Sequence, residues 1–246
     1  FSLRRKVKIE PEKKDLDWFV YDDESMNFLT ALDKEEFKLG SNISFLNFEN
    51  LTTPKVQNIK FPFDDIDIIL CNTGGDHSSM SHLYSNIPNK MHSAARKIGH
   101  KLLIEGDMQE IESCNELDKD EKDFATHFYN ENARVKEMIN ALNNKDKTLF
   151  YQMVNGSRLS STNLLRNMQV ENEYNGSPKE ACDIVMSVVG NDGACKINGG
   201  GFAGSIVCFV DHKKVSHLKK TLSAKYGKEN VVTISVATEK PCCKRI

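Results

Sequence analysis

What this sequence lacks narrows it first. No apolar run approaches the roughly 18 residues that a membrane-spanning helix needs; the longest candidates, Ile66 to Leu70 and Ile206 to Val210, have the length of strands. Charge of one sign is not in excess. The 33 basic and 35 acidic residues leave a net charge of -2, which gives no pull toward nucleic acid or an anionic membrane surface and favours small partners. The opening "FSLRRKVKIEPEKK" has no apolar core of the kind a secretory signal carries. The seven cysteines are an odd number without a CxxC pair, and several stand inside apolar runs. They read as reduced, buried thiols of a cytoplasmic protein. The seven histidines form neither HExxH nor Cys-His spacing, so no protein-held metal is expected. No internal repeat or low-complexity linker is seen.

What is present suits one large or two small domains with real cores: 246 residues, 39% of them hydrophobic and 28% charged. The chain begins at Phe1 rather than methionine, and we expect a piece of a longer protein. Residues 1 to about 40 alternate basic and acidic clusters and offer little core of their own. "ISFLNF" (43 to 48) is a weak strand signal closed by "ENLTTPK". "DIDIILCN" (65 to 72) is a stronger one, stopped by "TGGD". From Pro88 onward Met91, Ala94, Ala95 and Ile98 recur at helical spacing up to Gly99. Between Asp118 and Leu142 the residues Phe124, Phe128, Val135, Met138, Ile139 and Leu142 form one stripe of a long amphipathic helix. Asp146 caps a shorter helix expected to end near Gly156, and Ser177, Pro178 and Glu180 open another that runs to Gly190. Strand "ACKIN", a glycine cluster, strand "SIVCFV", a helix ending at Gly227 and strand "VVTISV" follow. This order predicts an α+β fold, an antiparallel sheet with helices packed on one face.

The glycine cluster, "INGGGFAGS", is the densest chemical signal. Runs of glycine supply positive φ, close backbone approach, or amides exposed to an anion. A phosphate loop places its amides ahead of a helix, whereas here a strand follows, and the sequence is neither a Walker A nor a Rossmann fingerprint. On local grounds a tight connection between strands is the preferred reading. "DHSS" (76 to 79) reads as a polar turn, because adjacent side chains diverge and cannot form a triad. Ser160 and Ser161 in "NGSRLSSTNLL" read as a helix cap. Lys213, Lys214, Lys219 and Lys220 read as a solvated face.

Wider context shifts the balance at the glycines. "GACKINGGGFAGSIVCFV" resembles the third motif of the GHMP small-molecule kinases in its galactokinase form, and "HFYNENARVKEMINALNNKD", "FYQMVNGSRLSSTNLLRN" and "CNTGGDHSSMSHLYSNIPNKM" are similar to further galactokinase segments. Together they cover roughly residues 43 to 238 in family order. The resemblance implies a ferredoxin-like C-terminal GHMP domain over residues 59–246, preceded by a diverged or truncated remnant of the N-terminal kinase domain over 1–58. It implies that Gly199, Gly200, Gly201, Phe202, Ala203 and Gly204 form the loop beside the nucleotide phosphates, and that Tyr84 hydrogen-bonds the sugar. It places the catalytic acid at Asp33, seven residues before Gly40 as the family has it, although Lys34 stands where the family has Gln. ATP and Mg²⁺ are the implied cofactors, and galactose or a related hexose, phosphorylated at the anomeric hydroxyl, the implied substrate.

Two family motifs of the N-terminal domain, one for the sugar and one Ser/Gly-rich for the phosphates, have no counterpart here. The expectation is therefore a galactokinase-like chain that lacks its nucleotide-binding half, incomplete or inactive alone and completed by an N-terminal kinase domain. The alternative from another class is a non-catalytic sugar-binding or regulatory module. A GHMP kinase of a different monosaccharide or of a mevalonate-type substrate is a third reading.

Overall fold

The computed structural model describes residues 42–47, 55–74 and 80–234. Asp33 and the "DHSS" turn lie outside the described residues. The chain divides into two compact units, one holding residues 63–234 and the other residues 4–62 and 235–246. In the smaller, β1 (Asn42–Asn47) and β2 (Lys55–Lys60) pair antiparallel, with Asn42 opposite Lys60 and Asn47 opposite Lys55. The sequence pattern missed β2, since "KVQNIK" has only two apolar residues to show a period.

The larger unit runs β3 (Ile66–Asn72), α1 (Ser81–Lys97), α2 (Met108–Ser113), α3 (Lys119–Asn143), α4 (Lys147–Ser160), α5 (Pro178–Val189), β4 (Gly193–Asn198), β5 (Ser205–Asp211), α6 (His212–Tyr226) and β6 (Val231–Ile234). Its sheet has the order β4-β5-β3-β6, and every pairing is antiparallel. This is the expected α+β arrangement, with the interleaved strand order of the ferredoxin-like motif.

Strand composition dictates the layers. Ile206, Val207, Cys208, Phe209 and Val210 of β5 are all buried, which alternation about a pleat allows only if both faces are covered. Ile206, Cys208 and Val210 join Ile69, Cys71, Cys195 and Ile197 beneath Val185 and Val189 of α5 and Leu218 and Leu222 of α6. The other face receives α4: Phe150 meets Phe209 edge-on at 5.0 Å between ring centroids and Phe63 at 5.4 Å. Helices on one face thus describes α5 and α6, while the second apolar set on β5 accounts for α4. The edge of β4 is also occupied, because the Cys195 amide donates to Asn155 Oδ1 of α4 at 3.4 Å. Cys71, Cys182, Cys195 and Cys208 are free thiols of the core, and burial pushes the Cys71 thiol up to about 12.

Helix starts follow their caps. The side chains of Asp118, Asp146 and Ser177 accept from the amides three residues on, satisfying donors that a helix leaves open. Two boundaries differ from the sequence reading. α1 begins at Ser81 and carries Pro88 in its interior, so proline did not mark its first turn. α4 passes through Gly156 to Ser160, and Ser160 and Ser161 are buried rather than capping. A Cβ on Gly156 would lie 3.2 Å from Arg134 Cδ; this glycine lets α3 and α4 approach.

α1, α2 and α3 close a second core around Ala94, Ala95, Leu103, Ile111 and Ala125. Glu121 ties α1 to α3. Its carboxylate accepts from Ser93 Oγ and Lys97 Nζ, both at 2.6 Å, and from the Asp118 amide at 2.8 Å, and the residue is 3% exposed. Burial alone would raise its pKa, but the Lys97, Ser93 and Asp118 bonds outweigh burial and hold it below the usual glutamate value. A depressed carboxylate stabilises the fold fully above the unfolded value, about 4.3, and ceases to do so as pH falls through the folded value. Glu121→Gln should therefore cost about 2 kcal/mol near neutral pH from weakened charged hydrogen bonds. The gap to the parent should shrink below about pH 4, as urea unfolding at several pH values would measure.

Candidate functional site

The glycine loop connects β4 to β5 at the end of the sheet where β3 stops. Left-handed backbone at Gly199, Gly201, Phe202 and Gly204 (φ 107, 94, 61 and 93) folds it. For Phe202 this is an uncommon conformation that its surroundings must enforce. They do so from three sides. From β3, the Thr73 amide and hydroxyl both donate to the Gly204 carbonyl at 2.7 Å, and the Gly204 amide donates to Gly74 O at 3.0 Å. From α1, Tyr84 Oη donates to the Gly201 carbonyl at 2.6 Å, and its ring meets Phe202 edge-on at 5.3 Å. From the segment after α4, Asn167 Nδ2 donates to Gly200 O at 2.9 Å, while Asn167 O accepts from the Phe202 amide at 2.5 Å.

Asn167 is placed by how α4 ends. The helix widens into a π turn over Ser161–Leu165, and Arg166 then turns left-handed at φ 55. The Arg166 guanidinium is clamped by Asp120 at 2.6 Å and Asp123 at 2.5 Å, above the Phe124 ring. The next residue is thereby aimed at the loop. Its Oδ1 has no partner among the described residues, although Asn167 is only 3% exposed.

Two cavities flank the loop. One, of about 550 Å³, lies against Phe202 and is lined chiefly by apolar side chains such as Leu83, Ile87, Phe124 and Leu165. The other, of about 260 Å³, is polar and is bounded by His127, Glu131, Ser157, Asn167, Lys196 and Gly199. In it His127 Nδ1 pairs with Ser160 Oγ at 2.9 Å, and Glu131 accepts from Arg134 Nε and Ser157 Oγ, both at 2.7 Å. Burial holds His127 below its ordinary value, so it is neutral at pH 7. Burial would raise Glu131, but Ser157, Lys196 and Arg134 prevail and keep it ionised.

The structure brings Tyr84 and the six loop residues together. The sequence reading missed Asn167 and Lys196. The signal for Lys196 was a lysine alternating with Cys195 and Ile197 in an otherwise apolar strand; for Asn167 no local pattern existed. Among the described residues no group of three or more His, Cys, Asp or Glu side chains is placed to hold a metal ion, so they offer Mg²⁺ no ready ligand set. No helix among them is long and apolar enough to cross a membrane.

No family model matches the chain. It is 29% identical over 166 residues to a galactokinase of Actinobacillus pleuropneumoniae serotype 3, covering 66% of this chain and 42% of that protein. It is 25% identical over 204 residues to a galactokinase of Haemophilus influenzae, covering 81% and 49%. The structure of Lactococcus lactis galactokinase complexed with galactose superposes with a TM-score of 0.66 at 18% identity, over 81% of this chain and 51% of that one. The fold is thus that of the galactokinase structure. In sequence the chain is galactokinase-like, and it spans about half the length of the relatives it matches.

Proposed function

We propose that this chain is the C-terminal part of a sugar kinase that transfers the γ-phosphoryl group of ATP to the anomeric hydroxyl of galactose or a related hexose. The observation that carries the reading is the fastened glycine loop, with Tyr84 bound to its Gly201 carbonyl, in a chain similar to galactokinases across two thirds of its length. In this reading residues 59–246 are the C-terminal domain and 1–58 a remnant of the N-terminal one, whose nucleotide-binding part a longer chain supplies. The loop residues Gly199, Gly200, Gly201, Phe202, Ala203 and Gly204 form the wall beside the nucleotide phosphates, and the protein works in the cytoplasm.

The chemistry asks little of this half. The anomeric oxygen attacks the γ-phosphorus, its proton passes to a carboxylate proposed to be Asp33, the bond from phosphorus to the β-phosphate oxygen breaks, and ADP leaves. Mg²⁺ would enter with the nucleotide and offset phosphate charge. Tyr84 positions rather than reacts. Burial raises its pKa, so the phenol stays protonated at pH 7, and a phenol that donates to a loop carbonyl can also accept from a sugar hydroxyl.

A coupled assay of the full-length parent with ATP, Mg²⁺ and a panel of hexoses tests the reading: sugar-dependent ADP release is expected, and its absence with every hexose would refute it. In that assay Tyr84→Phe should raise the KM for sugar several-fold, an effect of about 1 kcal/mol, while leaving the KM for ATP nearly unchanged. Equal effects on both would remove Tyr84 from the sugar side.

A further inference from the structure

Asn167 sets the direction of two glycine peptides. Its own backbone is anchored apart from the loop: its amide donates to Ser161 O at 3.3 Å, and the next carbonyl, of Met168, accepts from the Lys179 amide of α5 at 2.9 Å. Arg166, fixed by Asp120 and Asp123, precedes it. From that mount one residue reaches both sides of Gly201. Its side-chain amide donates to the Gly200 carbonyl, and its main-chain carbonyl accepts from the Phe202 amide.

Peptide geometry makes these two bonds decisive. The described residues contain no cis bond, and in a trans peptide C=O and N–H point in opposite directions. With the Gly200 carbonyl drawn toward Asn167, the Gly201 amide in the same plane faces away from it. With the Phe202 amide drawn toward Asn167, the Gly201 carbonyl faces away too, and there it meets Tyr84 Oη at 2.6 Å. The Gly201 amide bonds to no described residue, although Gly201 is buried. An unpaired buried amide is uncommon in a fold, and it is the group that a ligand would satisfy.

The two peptides are not held equally. The one joining Gly201 to Phe202 is fastened at both its polar ends, by Asn167 O and by Tyr84 Oη. The one joining Gly200 to Gly201 has a single bond among the described residues, from Asn167 Nδ2, and lies between two glycines, whose backbone turns over at little steric cost. Without that bond it can rotate and present its carbonyl oxygen where its N–H had been. Beside a phosphate, such a reversal turns attraction into repulsion.

We propose, resting on the kinase reading, that the Asn167 side chain is a positioning residue for phosphoryl transfer: by holding the Gly200 carbonyl it keeps the Gly201 amide directed out of the loop at the reacting phosphates. Asn167 itself touches neither substrate. In that reading the hold on bound ATP comes mainly from the nucleotide-binding part that a longer chain supplies, so a misdirected peptide in this half weakens the transition state more than the bound substrates.

The test compares kcat and both KM values of the full-length parent with those of its Asn167 variants. Asn167→Ala leaves the backbone bond to Phe202 and removes the bond to Gly200. Its kcat should fall about tenfold, equivalent to about 1.4 kcal/mol, with the KM for sugar and for ATP close to the parent's. Asn167→Asp keeps the shape and, once ionised, lacks the donor. It should lose as much at about pH 8 and regain part as pH falls, because a protonated carboxyl donates to Gly200 O again. Taking each rate relative to the parent at the same pH removes the titration of His127, Glu131 and Lys196, which line the same cavity. In the 246-residue chain the amide resonances of Gly200, Gly201 and Phe202 should move in both variants while those of β5 stay. An active parent whose kcat is unmoved by Asn167→Ala, a change in KM in place of kcat, or spectra altered throughout in both variants overturns the positioning role alone. A parent that releases no ADP with any hexose overturns the kinase reading, and the positioning role with it.

Discussion

Gly201→Ala is expected to be the most damaging single-methyl change in the loop, costing about 3 kcal/mol or more and disordering residues 199–204. A Cβ at this position would stand 2.3 Å from the Asn167 carbonyl oxygen and 2.6 Å from its Nδ2. The backbone also sits at φ 94, where a side chain is strained whatever the space around it. The clash cannot be relieved cheaply. Asn167 O holds the Phe202 amide and Asn167 Nδ2 holds Gly200 O, so moving Asn167 releases both bonds. Gly199→Ala provides the contrast: its φ is 107 but nothing lies within 4 Å of the added carbon, so only the conformational penalty of about 1–2 kcal/mol should appear. Urea denaturation of the two variants beside the parent measures the difference. Equal losses would mean that Asn167 does not constrain the loop.

Phe150→Ala should produce a loss of about 3–5 kcal/mol. Phe150 is fully buried and is the hinge of an aromatic cluster, contacting Phe63, Tyr151 and Phe209. It joins α4 to the sheet face that α5 and α6 leave uncovered. Truncation opens a cavity with three aromatic walls, none of which can collapse across it without leaving its own partner. Equilibrium unfolding gives the cost, and a loss under about 1 kcal/mol would show that α4 is not anchored to β5 through this residue.

How much of this was legible in advance follows from the range of the interactions involved. Ser177-Pro178 and Gly190 marked both ends of α5, and Asp118 and Asp146 marked two starts, because a cap is a contact between residues three apart. The apolar run 206–210 marked a strand, but the reading placed helices on one face of the sheet only, and α4 as the cover of the second face was not foreseen. Gly156 and Pro88 misled because their local preference lost to packing: the one admits Arg134, and the other is tolerated inside a helix anchored by its own core. In the site, the glycines and Tyr84 were found through resemblance. Asn167 could not be, since its role rests on a π turn and on Arg166 held by carboxylates 43 and 46 positions earlier, which no short window contains.

The strand order has a consequence for how the chain acquires its structure. β3 lies in the middle of the sheet, yet both its neighbours, β5 and β6, come more than 130 positions later. Until they are synthesised, β3 is an apolar strand with both edges unpaired, the sort of species prone to association. The helices α1 to α3 need not wait, since their core is made of residues 94 to 125, and such local contacts form fast. A ribosome that has just released α4 therefore presents a helical body with its central strand unmatched, and the sheet, with the glycine loop at its end, closes last.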